Sequence, residues 1–418
     1  MSVRGKLPVL FITAFIDMVG LTMIMPLLPF YAGQLGASAT VVGLLIAAFS
    51  LAQLVVAPVW GRWSDRYGRR PAILAGLLVT AVAYVLFAFA GSLTLLLLSR
   101  LLQGVGGGTI GVVQAYVADA SPVAKRTRSL GWLSAVTSLG AVAGPAFGSL
   151  MISLGGRSAP GLAAAALAVL VAGFAWKFLG ESRLQTTSSG SRAAHTTGRA
   201  ALTGILTRWR EPASRLIWIY AVAIGAFYGT GQTAPLLLAG RFGITERNVG
   251  FFIMYLGGMG VLIRSLVLGP AVDRLGEARL SRLGIVLLAL GLAATGLARG
   301  YPLLALGFTC MPFGTAFLFP CVTGLLSRVV STRDRGLYMS VQHTFGGVSR
   351  VAFPIAAGLM MDRFGVGVPF WVAGALVLLT VPLTRGMAEF VPPQPTPVPP
   401  ERTITAVDVT GEFPAKPA

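Results

Sequence analysis

Between two apolar runs, each long enough to cross a bilayer, residues 61–71 read Gly-Arg-Trp-Ser-Asp-Arg-Tyr-Gly-Arg-Arg-Pro. So short and charged a connector, joining segments of about 20 apolar residues, lies at a membrane surface. A fainter copy follows at Gly269-Pro270-Ala271-Val272-Asp273-Arg274-Leu275-Gly276-Glu277, again between apolar runs, with Asp273 placed 208 positions after Asp65. Recurrence at half the chain length describes a duplicated bundle, the construction of many secondary transporters.

Composition excludes most other classes. Of the 418 residues, 55% are apolar and 11% charged, against a usual charged share of roughly 25% in soluble domains. A mean hydropathy of +0.77 leaves little room for a water-soluble domain. The net charge of +19 sits in short connectors rather than in a patch interleaved with aromatics, so nucleic acid is not the expected partner. Cys310 and Cys321 share one apolar run and read as small core residues, with no metal site and no disulfide framework. The first apolar run is too long for a signal-peptide core and lacks a small-residue cleavage site.

Spans are expected near 7–31, 40–60, 71–90, 93–117, 129–153 and 158–180, then 213–238, 247–272, 280–299, 301–328, 336–361 and 367–389. The expected fold is an all-α membrane protein of twelve transmembrane helices in two six-helix pseudo-symmetric bundles. The first bundle is 1–180, a polar linker with a short amphipathic helix near 201–210 occupies 181–211, and the second bundle is 212–390. The Pro-rich tail, 391–418, reads as disordered.

Lys and Arg concentrate on one side. Arg4, Lys6, Arg62, Arg66, Arg69, Arg70, Lys125, Arg126, Arg128, Arg274, Arg279, Arg282, Arg328, Arg333, Arg335 and the linker arginines Arg183, Arg192, Arg199, Arg208 and Arg210 fall there. The opposite connectors carry Arg157, Arg241, Arg247, Arg299 and Arg363. By the positive-inside rule both termini and the linker are cytoplasmic, in a bacterial inner or plasma membrane. Two prolines repeat the duplication: Pro26 with Pro235 and Pro145 with Pro354, each 209 apart.

Four segments in order carry a family resemblance. Gly61 to Arg70 resembles the G-x-x-x-D-R-x-G-R-R loop of the major facilitator superfamily. Arg100-Leu-Leu-Gln103-Gly104-Val-Gly106 is similar to its R-x-x-Q-G-x-G element, and Gly140 to Gly148 to the G-x-x-x-G-P-x-x-G mark of drug/proton antiporters. Asp17-Met-Val-Gly20 through Pro29 resembles the tetracycline-exporter-like branch of the twelve-span antiporters. The likeness covers about residues 7–390. It implies a monomeric, non-enzymatic transporter with protons as coupling ion and no other cofactor.

Each element has its own physical reading. Asp65, with Arg66, Arg69, Arg70 and Asp119 near it and Gly61 and Gly68 allowing tight turns, reads as a cytoplasmic gate latch. It would pair with arginines or meet a helix N-terminus of the other half, and only when that side is shut. The plain alternative is a solvated loop that fixes topology. Asp17 is the acidic residue deep in a span, about 15 Å in by helical rise, and is expected to carry the coupling proton with Arg100 nearby. Permanent pairing of Asp17 with Arg100 is the bland alternative. Arg100, Gln103, Gly107, Gly111 and Gln114 form a polar and small stripe at helical spacing. Gly140, Gly144, Pro145 and Gly148 suit a closely packed, bent helix.

Candidate cavity residues are Gln103, Gln114, Phe227, Tyr228, Gln232, Phe252, Tyr255, Arg264, Phe313, His343 and Arg350, a mixture of aromatic and polar groups suited to a drug-sized pocket. Arg264 and Arg350, if they line it, admit anionic or zwitterionic substrates. The third span reads Val82-Ala83-Tyr84 with no acidic residue, which argues against tetracycline itself. The expected function is export of small amphipathic compounds in exchange for protons, with proton-coupled uptake of a metabolite as the alternative. No nucleophile–base pair, metal cluster or phosphate loop points to an enzyme.

Overall fold

A computed structural model describes residues 3–122, 125–180, 203–331 and 334–387. The expected linker up to residue 202 (with Arg183, Arg192 and Arg199), Arg333 and the tail 391–418 lie outside the described residues; of the amphipathic segment, 203–207 is helical.

Long apolar stretches in a bilayer must satisfy every backbone N–H and C=O internally, which leaves the helix as the local solution. The first half runs α1 (Val3–Ile24, tightening through Met25–Leu27 and continuing as Leu28–Gln34), α2 (Ala39–Tyr67), α3 (Arg69–Ala88), α4 (Leu93–Asp119), α5 (Arg126–Gly155) and α6 (Ala159–Phe178). The second runs α7 (Pro212–Phe242), α8 (249–275), α9 (277–297), α10 (Tyr301–Val329), α11 (Arg335–Phe364) and α12 (Val368–Thr384). The series is consistent with twelve crossings. Prolines in the first turn open α6, α7, α10 and α12, where a missing N–H removes no internal bond. Large apolar side chains such as Leu154, Trp176 and Leu379 point outward, 73%, 68% and 71% exposed, as a lipid-facing surface requires.

The duplication extends to backbone geometry. Glycines with positive φ pair across the halves: Gly36 with Gly243, Gly68 with Gly276, and Gly156 with Gly365. Each ends a helix where a side chain would be strained. Gly68 (φ 110°) and Gly276 (φ 73°) set the turns within the two charged connectors noted above.

The halves meet mainly at the end of the bundle remote from those connectors. There α2 packs on α11: a methyl group on Gly43 would overlap the Pro354 carbonyl, and one on Gly358 the Ala39 carbonyl. The symmetric contact joins α5 to α8, where a methyl on Gly250 would overlap the Pro145 carbonyl. Backbone-to-backbone approach of this kind is open only to glycine.

Candidate functional site

Asp17 is half-buried on α1 and lines an opening of about 570 Å³ between α1, α4 and α5, facing Thr109 and Gln114 of α4 and Ser134 and Thr137 of α5. Among the described residues its carboxylate forms no ion pair, so permanent pairing with Arg100 is not what the fold builds. Tyr84 of α3 is near both groups. Its ring lies 3.5 Å from where a Cβ on Gly20 would stand, and it is within electrostatic range of both Asp17 and Arg100. Sequence reasoning missed Tyr84, because a tyrosine in an apolar run carries no positional signal.

Arg100 is 2% exposed. One Nη donates to Gln103 Oε1, the guanidinium stands 5.4 Å from the Phe49 ring centroid, and its Nε has no hydrogen-bond partner. The expected stripe on α4 therefore divides. Arg100 and Gln103 are together, Gln114 faces the Asp17 opening, and Gly107 accepts at its carbonyl from Gln53 Nε2 at 3.1 Å.

A second opening, about 270 Å³, lies between the halves. Thr22 and Pro26 of α1, Pro145 of α5, Phe227, Tyr228 and Gln232 of α7, Leu256 of α8 and Met311 of α10 line it. Gln232 donates across the interface to the Met25 sulfur at 3.2 Å. Arg350 of α11 stacks its guanidinium over the Tyr228 ring at 5.2 Å.

Five candidates fall elsewhere, and for the aromatic ones on α8 and α10 the cause is helix rotation, which apolar runs without a polar face do not specify. On α8 it is Ile253, Leu256 and Gly257 that turn inward. Phe252 and Tyr255 line a separate groove of about 330 Å³ against α10, where Tyr255 shares a 2.9 Å hydrogen bond with Thr309. Phe313 packs on Phe317, centroids 5.9 Å apart, inside the second half. Arg264 is exposed on a π-turn (Ile263–Val267) beside Asp273 and Glu277, in an opening of about 400 Å³. His343 is exposed and meets Tyr220 edge-on at 6.4 Å.

In the charged connector, Arg69 bridges Asp65 at 2.6 Å and Asp119 at 3.3 Å, and its Nη1 donates to the buried Ser64 hydroxyl at 2.7 Å. Arg70 donates to the Trp176 carbonyl and Arg66 lies over Tyr67. All of these contacts lie within the first half, and the Asp65 side chain is 64% exposed. The expectation that Asp65 and Asp119 engage arginines only with this end shut is thus corrected: one turn separates Asp65 from Arg69, and Asp119 belongs to the same bundle. Gly61 has open space around it, whereas Gly68 is required by its φ.

The faint copy holds a counterpart of reversed polarity. Glu277 stands 208 positions after Arg69, and Arg328 stands 209 after Asp119; they pair at 2.9 Å. Gly140, Gly144 and Gly148 seat α5 on α1, where methyl groups would overlap the Phe15 carbonyl, the Thr22 hydroxyl and the Met23 carbonyl.

The helix-N-terminus contact expected of Asp65 occurs at the opposite end, on a residue that sequence reasoning passed over. Asp362, near the end of α11, accepts from Ala39 N at 2.9 Å, Thr40 N at 2.8 Å and the Thr40 hydroxyl at 2.6 Å. With Ser38 Oγ accepting from Val41 N, the exposed amides that open α2 are satisfied. Ser149 of α5 does the same for α8, accepting from Gly250 N at 3.0 Å and donating to the Glu246 carbonyl at 2.8 Å. A signal was present: Asp362-Arg363-Phe364-Gly365 repeats Asp65-Arg66-Tyr67-Gly68 and Asp273-Arg274-Leu275-Gly276.

A duplicated helical bundle, closed at one end, with polar groups buried along its axis, is what comparison with known proteins also returns. The family model "Major Facilitator Superfamily" matches residues 10–266 and 258–412. Multidrug resistance protein 2 of Bacillus subtilis is 28% identical over 374 residues, 88% of this chain and 92% of that one. A class G tetracycline resistance protein of Vibrio anguillarum is 31% identical over 389 residues, covering 88% and 94%. Among solved structures, the human organic anion transporter MFSD10 (TETRAN) superposes with a TM-score of 0.65 at 25% identity, covering 92% of this chain and 100% of that one. The chain belongs to the Major Facilitator Superfamily, a multi-pass membrane transporter of the drug-efflux kind.

Proposed function

We propose that this chain exports small amphipathic compounds, antibiotics among them, from the cytoplasm in exchange for protons. Asp17 carries the reading: a carboxylate deep in a span, without an ion pair among the described residues, lining an opening large enough for water and solute. The excess of Lys and Arg supports a cytoplasmic position for the charged connectors; on that reading the interlocked end faces outward and the conformation is inward-facing. Substrate enters the cavity between the halves while Asp17 releases its proton inward. The halves then rock about that cavity, and protonation from outside accompanies release. One chain supplies both halves, so a monomer suffices.

The relatives named for multidrug and tetracycline resistance support an efflux role; the organic anion transporter leaves the charge of the cargo to be argued from this chain's own residues. The test is a drug-susceptibility panel in an efflux-deficient host, wild type against Asp17→Asn, followed by transport in inside-out vesicles under an imposed pH gradient. Wild type should raise resistance to several compounds and Asp17→Asn to none. Gradient-driven substrate accumulation that persists in Asp17→Asn vesicles would refute the assignment.

A further inference from the structure

Two guanidinium groups that no described residue neutralises lie near Tyr228, a residue that also lines the opening between the halves. Arg100 comes from α4 in the first half and Arg350 from α11 in the second. Neither forms an ion pair with any described carboxylate, and the Nε of each is buried with no hydrogen-bond partner. Tyr228 is the neighbour they share. Arg350 covers its ring at 5.2 Å, and the tyrosine is within electrostatic range of Arg100. Gln103 lends its carbonyl oxygen to Arg100, with its amide toward the Tyr84 hydroxyl. The inventory is one-sided: each guanidinium keeps a buried Nε donor without an acceptor, and no described carboxylate pairs with either. Buried donors left unpaired destabilise a fold by more than a made bond stabilises it, so such a constellation persists where something else supplies the acceptor.

Beside it, the opening between the halves is walled mainly by Phe227, Leu256, Phe308 and Met311, with Tyr228 common to the opening and the cationic cluster. An apolar body would lie against those side chains, and its negative end would reach the guanidiniums. Planar forks of N–H donors suit a carboxylate better than a point cation or a neutral ester.

Resting on the export reading above, we propose that Arg350 and Arg100, arranged around Tyr228, form an anion subsite, and that preferred cargo are aromatic compounds bearing a carboxylate, whether simple acids or zwitterions. Because the arginines come from different halves, a bound carboxylate touches both and favours the state in which they converge.

The experiment uses purified full-length protein and three probes on one scaffold: pyrenebutyrate, its methyl ester, and a pyrenylbutyl-trimethylammonium. Binding is read by fluorescence, transport in proteoliposomes under a pH gradient. Wild type should bind pyrenebutyrate at least about 10-fold more tightly than the ester, the scale of one charge-assisted contact. Arg350→Gln should erase the difference by weakening the acid alone, and Arg350→Lys should restore it in part. The wild-type comparison needs no variant, so a misfolded mutant does not rescue the idea. Equal or tighter binding of the ester or the ammonium probe overturns the anion subsite. Gradient-driven movement of those probes in that case would leave the export reading standing; failure to move any compound active in the susceptibility panel counts against export instead.

Discussion

Asp362 is the residue whose removal should most directly change which face of the transporter is open. Its carboxylate accepts three hydrogen bonds from the first turn of α2, a helix of the other half, at 2.6–2.9 Å. A helix start deprived of its acceptor loses about 0.5–2 kcal/mol, and the attraction of a carboxylate to the positive end of a helix adds about 0.3–1 kcal/mol. The contact is exposed to water, so the lower part of that range applies, about 1–2 kcal/mol. On the proposed orientation these bonds, which join the two halves, hold the outer end closed, so their loss should shift the closed-to-open ratio by roughly 5–30-fold. Spin labels at Gln34→Cys and Arg363→Cys, both exposed, on a background lacking Cys310 and Cys321, report the separation at this end. Asp362→Ala should move population from short to long distances, and Asp362→Asn, which keeps one acceptor, should fall between. High salt should shift the wild type in the same direction by screening. An unchanged distance distribution in Asp362→Ala would show that packing at Gly43 and Gly358 closes the end without help, and the latch argument would fail.

Other perturbations separate contacts made in this state from contacts reserved for the other. Gly250→Val drives a side chain into the Pro145 carbonyl and should cost about 1–3 kcal/mol of the outward-closed state, read as loss of disulfide trapping between cysteines placed on α5 and α8. Gly61→Val meets open space here, so thermal stability in the inward-facing state should be unchanged while transport falls, because closure of the cytoplasmic end needs that surface. Glu277→Arg alone should lower the melting temperature by placing it against Arg328, and adding Arg328→Glu should recover most of the loss, a coupling of about 1 kcal/mol for a pair whose arginine is exposed and whose glutamate is largely covered. Tyr84→Phe should leave pyrenebutyrate binding unaltered and slow proton-coupled flux; equal flux would remove Tyr84 from the path between Asp17 and Arg100.

The fold was legible because its causes are local. Run length fixes a span, a glycine followed by charge fixes a turn, and 208-residue spacing fixes the repeat. The site was legible where polarity breaks an apolar background, as at Asp17, Arg100 and Arg350. It was not legible on α8 and α10, whose residues are apolar on every side, so the facing of Phe252, Tyr255 and Phe313 depended on packing against neighbours. Arg264 misled for the opposite reason. A charge in a long apolar run reads as buried, but a π-turn carries it out to the surface near Asp273 and Glu277.

What the repeat implies for mechanism goes further than twofold architecture. Asp-Arg-x-Gly ends α2, α8 and α11, each time with the glycine at positive φ and the aspartate one turn back. Only the copy at Asp362 meets a helix start of the other half in this state, while Asp65 turns to Arg69 in its own half. Glycines tell the same story in space: Gly43 and Gly250 are filled by the opposing backbone, and Gly61 and its counterpart Gly269 are uncovered. Small residues are kept at both ends, although one end uses them at a time. The two ends therefore carry the same elements, an Asp-Arg-x-Gly helix end and small residues facing the other half, and only the Asp362 end engages them among the described residues. Their strengths differ because the partners of Asp65 compete within its own bundle, where Arg69 is already shared with Asp119. Closing the cytoplasmic end must offset that pairing, whereas nothing comparable holds Asp362 back among the described residues. On the proposed orientation that asymmetry favours the inward-facing state, and substrate or proton binding would supply the difference.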